Sequence, residues 1–122
     1  MVLIDTTILI DASRGNPVAL SFLALHAEGL LASEVTRVEL LQGARTTEIA
    51  HLDELMDLID WVPIFEDVSR LAGSLGQTWL RSHGGIDLAD LIIAATAQIS
   101  GAEIATLNVK HFPMFPGLKP AY

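Results

Sequence analysis

Four short runs of aliphatic and β-branched residues, at positions 2–4, 30–33, 61–64 and 104–107, are separated by segments with helical spacing or helical punctuation. Strands alternating with helices of about ten to fifteen residues lead to an α/β domain. The expected architecture is a central, mainly parallel sheet of four to five strands flanked by helices. A length of 122 residues suits one core, so residues 1–122 read as a single domain.

The helices between these runs have distinct boundary signals. The opening "VLI" carries no polar alternation, as a strand covered on both faces requires. Thr6 leads into a helix over 7–12 that "RGNP" ends, and Asn16 then caps a helix beginning at Pro17 and running to about Glu28, with Gly29 as its stop. A helix over 36–43 carries the capping-box pattern Thr36-x-x-Glu39. From 47 to 60, Ile49, Leu52, Leu55, Met56 and Ile59 recur at three- and four-residue intervals, giving an amphipathic helix. The run "WVPI" is edge-like, because Pro63 cannot donate to a ladder. A helix follows over 67–82, closed by Gly84-Gly85, and Asp87 or Leu88 opens a nearly wholly apolar helix ending near Gly101. The Pro- and Phe-rich tail is irregular.

Composition narrows the function classes. No stretch approaches the roughly 20 uninterrupted apolar residues that span a bilayer. The start lacks a basic leader, and Asp5 would interrupt its apolar segment, so a cytoplasmic protein without membrane association is expected. Zero cysteines exclude disulfides and thiolate metal sites. Fifteen acids against seven basic residues give a net charge of −8, which argues against a broad basic phosphate-binding face. Much of the acidity is local: Glu48, Asp53, Glu54, Asp57, Asp60, Glu66 and Asp67 lie between Arg45 and Arg70, as a solvated face would have it. The apolar fraction is 51%, or roughly 57% with Gly counted and Tyr left out, against a usual 45–50%. The surplus reads either as a core rich in Ala and Leu or as surface reserved for a partner. The helix around Val18, Leu20, Phe22 and Leu23 and the segment around Trp79 and Leu80 are the places where both readings stand.

In open α/β sheets ligands bind beyond the carboxyl ends of the strands. Asp5 ends the first strand, Glu39 follows the second, Asp87 and Asp90 begin the apolar helix, and Asn108 follows the fourth strand. All fall on one edge. Acids converging without a basic partner raise one another's pKa, and a hard divalent cation resolves that conflict with carboxylate oxygens and waters. Each residue also has a purely structural reading. Glu39 could complete the capping box, Asp87 reads first as an N-cap, and Asp90 could be an acid at the positive end of its helix. Asp5 is hardest to explain that way, since an unpartnered carboxylate at the end of a buried strand costs several kcal/mol, on the order of 2–7. Asp11 reads as an exposed helix residue with no role.

The segments "LIDTTILID", "SEVTRVELLQGA", "DLADLIIAATA" and "ATLNVKHFPMFPGL", in this order, resemble the PIN-domain ribonucleases, and among them the VapC-type toxins of toxin–antitoxin pairs. The resemblance runs almost end to end. It implies a PIN-like fold, with the family's first acid at Asp5 followed by Thr6, its glutamate at Glu39, and its "DxxIAA"-like aspartate at Asp90 rather than Asp87. Catalysis and metal binding then fall to Asp5, Glu39 and Asp90, with Thr6, Asp87, Thr106 and Asn108 as accessory positions. Asn108 stands where the family often has a fourth acid; a neutral oxygen there weakens any second metal. The resemblance further implies an Mg²⁺- or Mn²⁺-dependent endoribonuclease that cleaves RNA, a homodimer, and a cognate VapB-type antitoxin, together forming a heterotetramer or larger assembly. Arg14, Arg37 and Lys110 are the candidate RNA-binding residues, with Arg45 and Arg81 as further cations.

Three other readings compete. A receiver domain needs adjacent acids after its first strand, where Thr6 and Thr7 stand. A haloacid-dehalogenase-type phosphatase needs a second Asp at position 7. A PIN fold retained as an interaction module, weak or inactive in catalysis, is opposed by the presence of acids at three of the family's four acidic positions.

Overall fold

The computed structural model describes residues Met1 to Tyr122. Its sheet has four strands, β1 (Val2–Ile4), β2 (Leu30–Ser33), β3 (Asp60–Val62) and β4 (Glu103–Ala105), in the order β3-β2-β1-β4, and every pairing is parallel. Two helices lie in each crossover. They are α1 (Thr6–Ser13) and α2 (Pro17–Leu25), α3 (Glu34–Gly43) and α4 (Ile49–Met56), and α5 (Glu66–Trp79) and α6 (Leu88–Ser100).

Side chains alternate across a strand, so β1 feeds two cores. Ile4 joins Ile8, Leu9, Leu23, Leu52 and Met56 on the side of α1, α2 and α4. Leu3 joins Val68, Leu91, Ile93 and Phe112 on the side of α5 and α6. Both β1 residues are fully buried, and the result is a three-layer α/β/α sandwich. The chain steps outward from β1 through β2 to β3, then returns to place β4 on the other side of β1. The switch in strand order therefore lies between β1 and β4, where such sheets open a crevice.

Several boundaries differ from those the sequence suggests. Helix α3 begins at Glu34, because Ser33 at the end of β2 caps it, its hydroxyl accepting from Val35 N at 3.2 Å. Thr36 is thus inside the helix, and the capping box Thr36-x-x-Glu39 does not form. Helix α2 stops at Leu25, and Ala27–Gly29 forms a separate 3₁₀ turn. The segment expected as one helix over 47–60 divides into a 3₁₀ turn, Thr46–Glu48, then α4, with Asp60 already in β3. The Trp61 indole donates to Met56 O at 3.0 Å and so satisfies a carbonyl that another helical turn would have used. Strand β3 ends before Pro63, as its missing N–H dictates. Helix α5 starts at Glu66 and closes at Trp79, short of residue 82. Strand β4 is a residue longer at its start and stops at Ala105, because Thr106 leaves the ladder: its carbonyl accepts from Ala121 N at 2.9 Å and its hydroxyl turns to Asp5. Asp11 is half-buried and accepts from the Tyr122 hydroxyl at 2.9 Å, a contact across 111 positions that ties the tail to α1.

Candidate active site at the switch point

Asp5 leaves β1 with an extended backbone and becomes the N-cap of α1, its Oδ1 accepting from Thr6 N at 2.8 Å. Its Oδ2 accepts from the Thr106 hydroxyl at 2.7 Å and from the Thr7 hydroxyl at 3.2 Å. Asp5 is 4% exposed, so these bonds account for a burial that would otherwise be costly. The Thr6 hydroxyl donates to Glu39 Oε1 at 2.6 Å and lies 3.0 Å from the Thr36 hydroxyl. Thr36 and Glu39 sit three residues apart on α3, hence on one face, and that face is turned to the start of α1. Hydroxyls therefore tie together two of the three candidate acids.

Asp90 is built differently. Asp87 caps α6, its carboxylate accepting from Asp90 N at 2.9 Å, while Asp90 Oδ2 accepts from Asp87 N at 3.0 Å, a complete capping box. The N-cap role expected of Asp87 and the inward placement expected of Asp90 both hold, since Asp87 is exposed and Asp90 is 7% exposed. Burial pushes the Asp90 carboxyl up to about 6; the Asp87 N–H lowers it, the Asp87 charge raises it, His111 lowers it and the Asp5 charge raises it again. Asp5 and Asp90 thus act on one another electrostatically across the switch point.

The donor chemistry suits a hard divalent cation, and unused oxygens remain. Glu39 Oε2 and Asp90 Oδ1 have no protein partner, and no side-chain oxygen in the chain is both buried and unsatisfied, so both stay open to solvent. No three His, Asp or Glu side chains converge as a ready-made metal cage. Mg²⁺ does not require one, because it is commonly bound through one or two carboxylates, with waters and substrate phosphate completing six ligands.

The accessory positions separate. Thr6 and Thr106 join the acid network directly, whereas Asn108 is exposed and contributes its backbone N–H, which donates to the Thr106 hydroxyl at 2.9 Å. Of the candidate cations, Arg14 is exposed and lines a shallow cleft with Ser13 and Glu39. Lys110 is exposed beside Asn108. Arg37 is already engaged: its guanidinium forks onto Glu34 at 2.7 and 3.1 Å and stacks 4.2 Å over Trp61. Arg45 pairs with Glu48 at 3.6 Å, and Arg81 lies in the groove between α5 and α6.

Sequence reasoning missed Thr36, Thr7 and His111. Thr36 was readable only as a capping residue, and no spacing rule shows that a hydroxyl will meet another from 30 positions away. His111 belongs to the same "LNVKHF" segment as Asn108, and its Nδ1 stands 3.1 Å from Asp90 Oδ2.

The apolar surplus is divided between core and surface. Leu23 is buried, while Val18 and Leu20 are 52% and 41% exposed. Leu80, Leu88, Leu91 and Ile92 line a groove of about 770 Å³ between α5 and α6, which contains none of the acids. No helix is long and apolar enough to cross a membrane.

Comparison with known proteins agrees with this fold. The PIN domain family matches residues 2–113. Ribonuclease VapC19 of Mycobacterium tuberculosis is 46% identical over 125 residues, covering all of both chains. Ribonuclease VapC10 of the same organism is 40% identical, covering all of this chain and 93% of the relative. Among solved structures, a toxin–antitoxin complex from Klebsiella pneumoniae superposes with a TM-score of 0.85 at 28% identity, covering 100% of this chain and 98% of the other. VapBC2 from Rickettsia felis, bound to a promoter DNA fragment, shares the fold with a TM-score of 0.82 at 23% identity, covering 97% and 96%. With a family match across nearly its whole length and full-length relatives at 46% and 40% identity, the chain belongs to the PIN-domain family, among the VapC proteins.

Proposed function

We propose that the chain is the toxin of a VapBC-type pair, a divalent-metal-dependent endoribonuclease that hydrolyses RNA phosphodiesters in the cytoplasm. The observation that carries this reading is the pairing of two buried carboxylates, Asp5 and Asp90, across the switch point, with Glu39 linked to Asp5 through Thr6. Asp5 and Asp90 are assigned to hold Mg²⁺ or Mn²⁺, with Glu39 completing the acid set. When bound, the cation supplies acidification of water and neutralisation of charge at the phosphodiester. The residues of the chain do the rest. Thr106 and Thr7 fix the orientation of Asp5, Thr6 fixes Glu39, and the capping box fixes Asp90, so each carboxylate is oriented before substrate arrives. Arg14 and Lys110 are exposed and free to meet the RNA backbone; Arg37, held by Glu34 and Trp61, is the weakest of the three assignments. The named relatives are ribonucleases, and the solved neighbours are toxin–antitoxin complexes, which supports a VapB-type antitoxin and a multimeric assembly, read here as built on a homodimer. The exposed leucines of α2 and of the α5–α6 groove provide apolar surface for such contacts.

The test is cleavage of total tRNA and rRNA by the purified chain, with Mg²⁺ or Mn²⁺ and with EDTA. Asp5→Asn, Glu39→Gln and Asp90→Asn are each expected to lower the rate by about 100-fold or more, as loss of transition-state charge stabilisation does. Cleavage that survives EDTA sinks the metal assignment. Wild type and variants that behave alike sink the nuclease assignment.

A further inference from the structure

The site has one partner that the acid pattern does not contain. His111 ends a 3₁₀ turn, Val109–His111, and its backbone N–H donates to Asn108 O at 2.9 Å. The next residue, Phe112, is 1% exposed in the core beside Leu91 and Ile93, so the turn is pinned from below. The imidazole is thereby brought over the start of α6. Its Nδ1 is 3.1 Å from Asp90 Oδ2, the oxygen that also accepts from Asp87 N. On its other side, Nε2 faces the turn at Gly85, where φ is +87° and a Cβ would stand 3.6 Å from that nitrogen. The ring is backed by one segment and aimed at another. Both contacts on Asp90 therefore converge on Oδ2, which leaves Oδ1 as the oxygen open to solvent.

We infer that His111 is a positioning residue for the metal site: its Nδ1, 3.1 Å from Oδ2, buttresses Asp90 on that oxygen, so that Oδ1 is presented to the cation. The inference rests on the metal-site reading given above. The contact is a close polar approach rather than an aligned hydrogen bond. Partners in this position orient a metal-binding side chain, and their removal typically lowers metal affinity by about 10- to 100-fold.

The experiment is calorimetric titration of the full-length chain with Mn²⁺, alongside thermal melting of the metal-free protein. His111→Ala is expected to weaken Mn²⁺ binding about tenfold. His111→Asn, whose amide keeps a polar group close to the Nδ1 position, is expected to restore most of that loss. Asp90→Asn serves as the control for the site itself. If wild type binds Mn²⁺ and Asp90→Asn does not, while His111→Ala binds within twofold of wild type, the positioning role is wrong and the metal site stands. If His111→Asn binds no better than His111→Ala at equal melting temperatures, the role of the polar contact is likewise overturned. If wild type itself takes up no Mn²⁺, the metal-site reading falls and this inference with it.

Discussion

The two halves of the acidic edge solve the same problem by different means. At the start of α1, Asp5 is stabilised by hydroxyls from Thr7 and Thr106 and by its own cap, and Thr6 passes the network on to Glu39 and Thr36. At the start of α6, Asp90 has one backbone donor and a histidine, and burial holds its carboxyl at about 6. The first half is a satisfied network, worth stability in itself. The second retains a charge that the fold does not fully compensate, which is the condition under which an added cation gains most.

The largest expected effect comes from dismantling the satisfied half. Asp5→Ala removes a helix cap and leaves the Thr106 hydroxyl without its acceptor, so a loss of about 2–4 kcal/mol in urea unfolding is expected. A variant as stable as wild type would show that the hydroxyl network contributes nothing. Thr6→Val keeps shape and removes the link to Glu39; a smaller loss, about 1–3 kcal/mol, is expected in the same measurement.

The smallest and most discriminating effect lies in the other half, in metal-free protein with EDTA. The Asp90 carboxyl sits at about 6 in the folded chain against an ordinary 3.8, so the folded state binds this proton more tightly than the unfolded state. Its contribution to stability is complete below about pH 3.8 and is lost as pH rises through about 6. Asp90→Asn is therefore expected to raise stability at pH 7 and to flatten the stability profile between pH 4 and 6.5. If Asp90→Asn and Asp5→Ala both destabilise at pH 7, the contrast between the two halves is broken.

The half around Asp90 was the more legible in sequence. Asp87 and Asp90 are three residues apart at the head of an apolar helix, so their reciprocal capping is a local matter. Asp5 at the end of a buried strand was equally plain as an anomaly. What surrounds Asp5 was not, because Thr106, which bonds Asp5, and Thr36, which bonds the adjacent Thr6, come from distant parts of the chain, and only the strand order brings them there. The same limit explains the Thr36 capping box: Ser33 and Thr36 are both competent caps, and the end of β2 decided for Ser33. The parallel α/β architecture was readable from alternation alone, whereas the early stop of α4 depended on an indole donating from the next strand. Arg37 looked like a free cation because neither its fork to Glu34 nor its stacking on Trp61 has a unique sequence sign.

The bond between Asp5 and Thr106 joins positions 101 residues apart, and β4 is the last strand to be made. At a synthesis rate of about 5–20 residues per second, the first acid emerges roughly 5–20 s before the residue that orients it. The central strand β1 also waits for one of its two neighbours over that interval. A nascent chain thus carries an incomplete site over that interval, and competence arrives only once Thr106 is in place. Any partner that must intercept the finished site has the duration of synthesis in which to be ready.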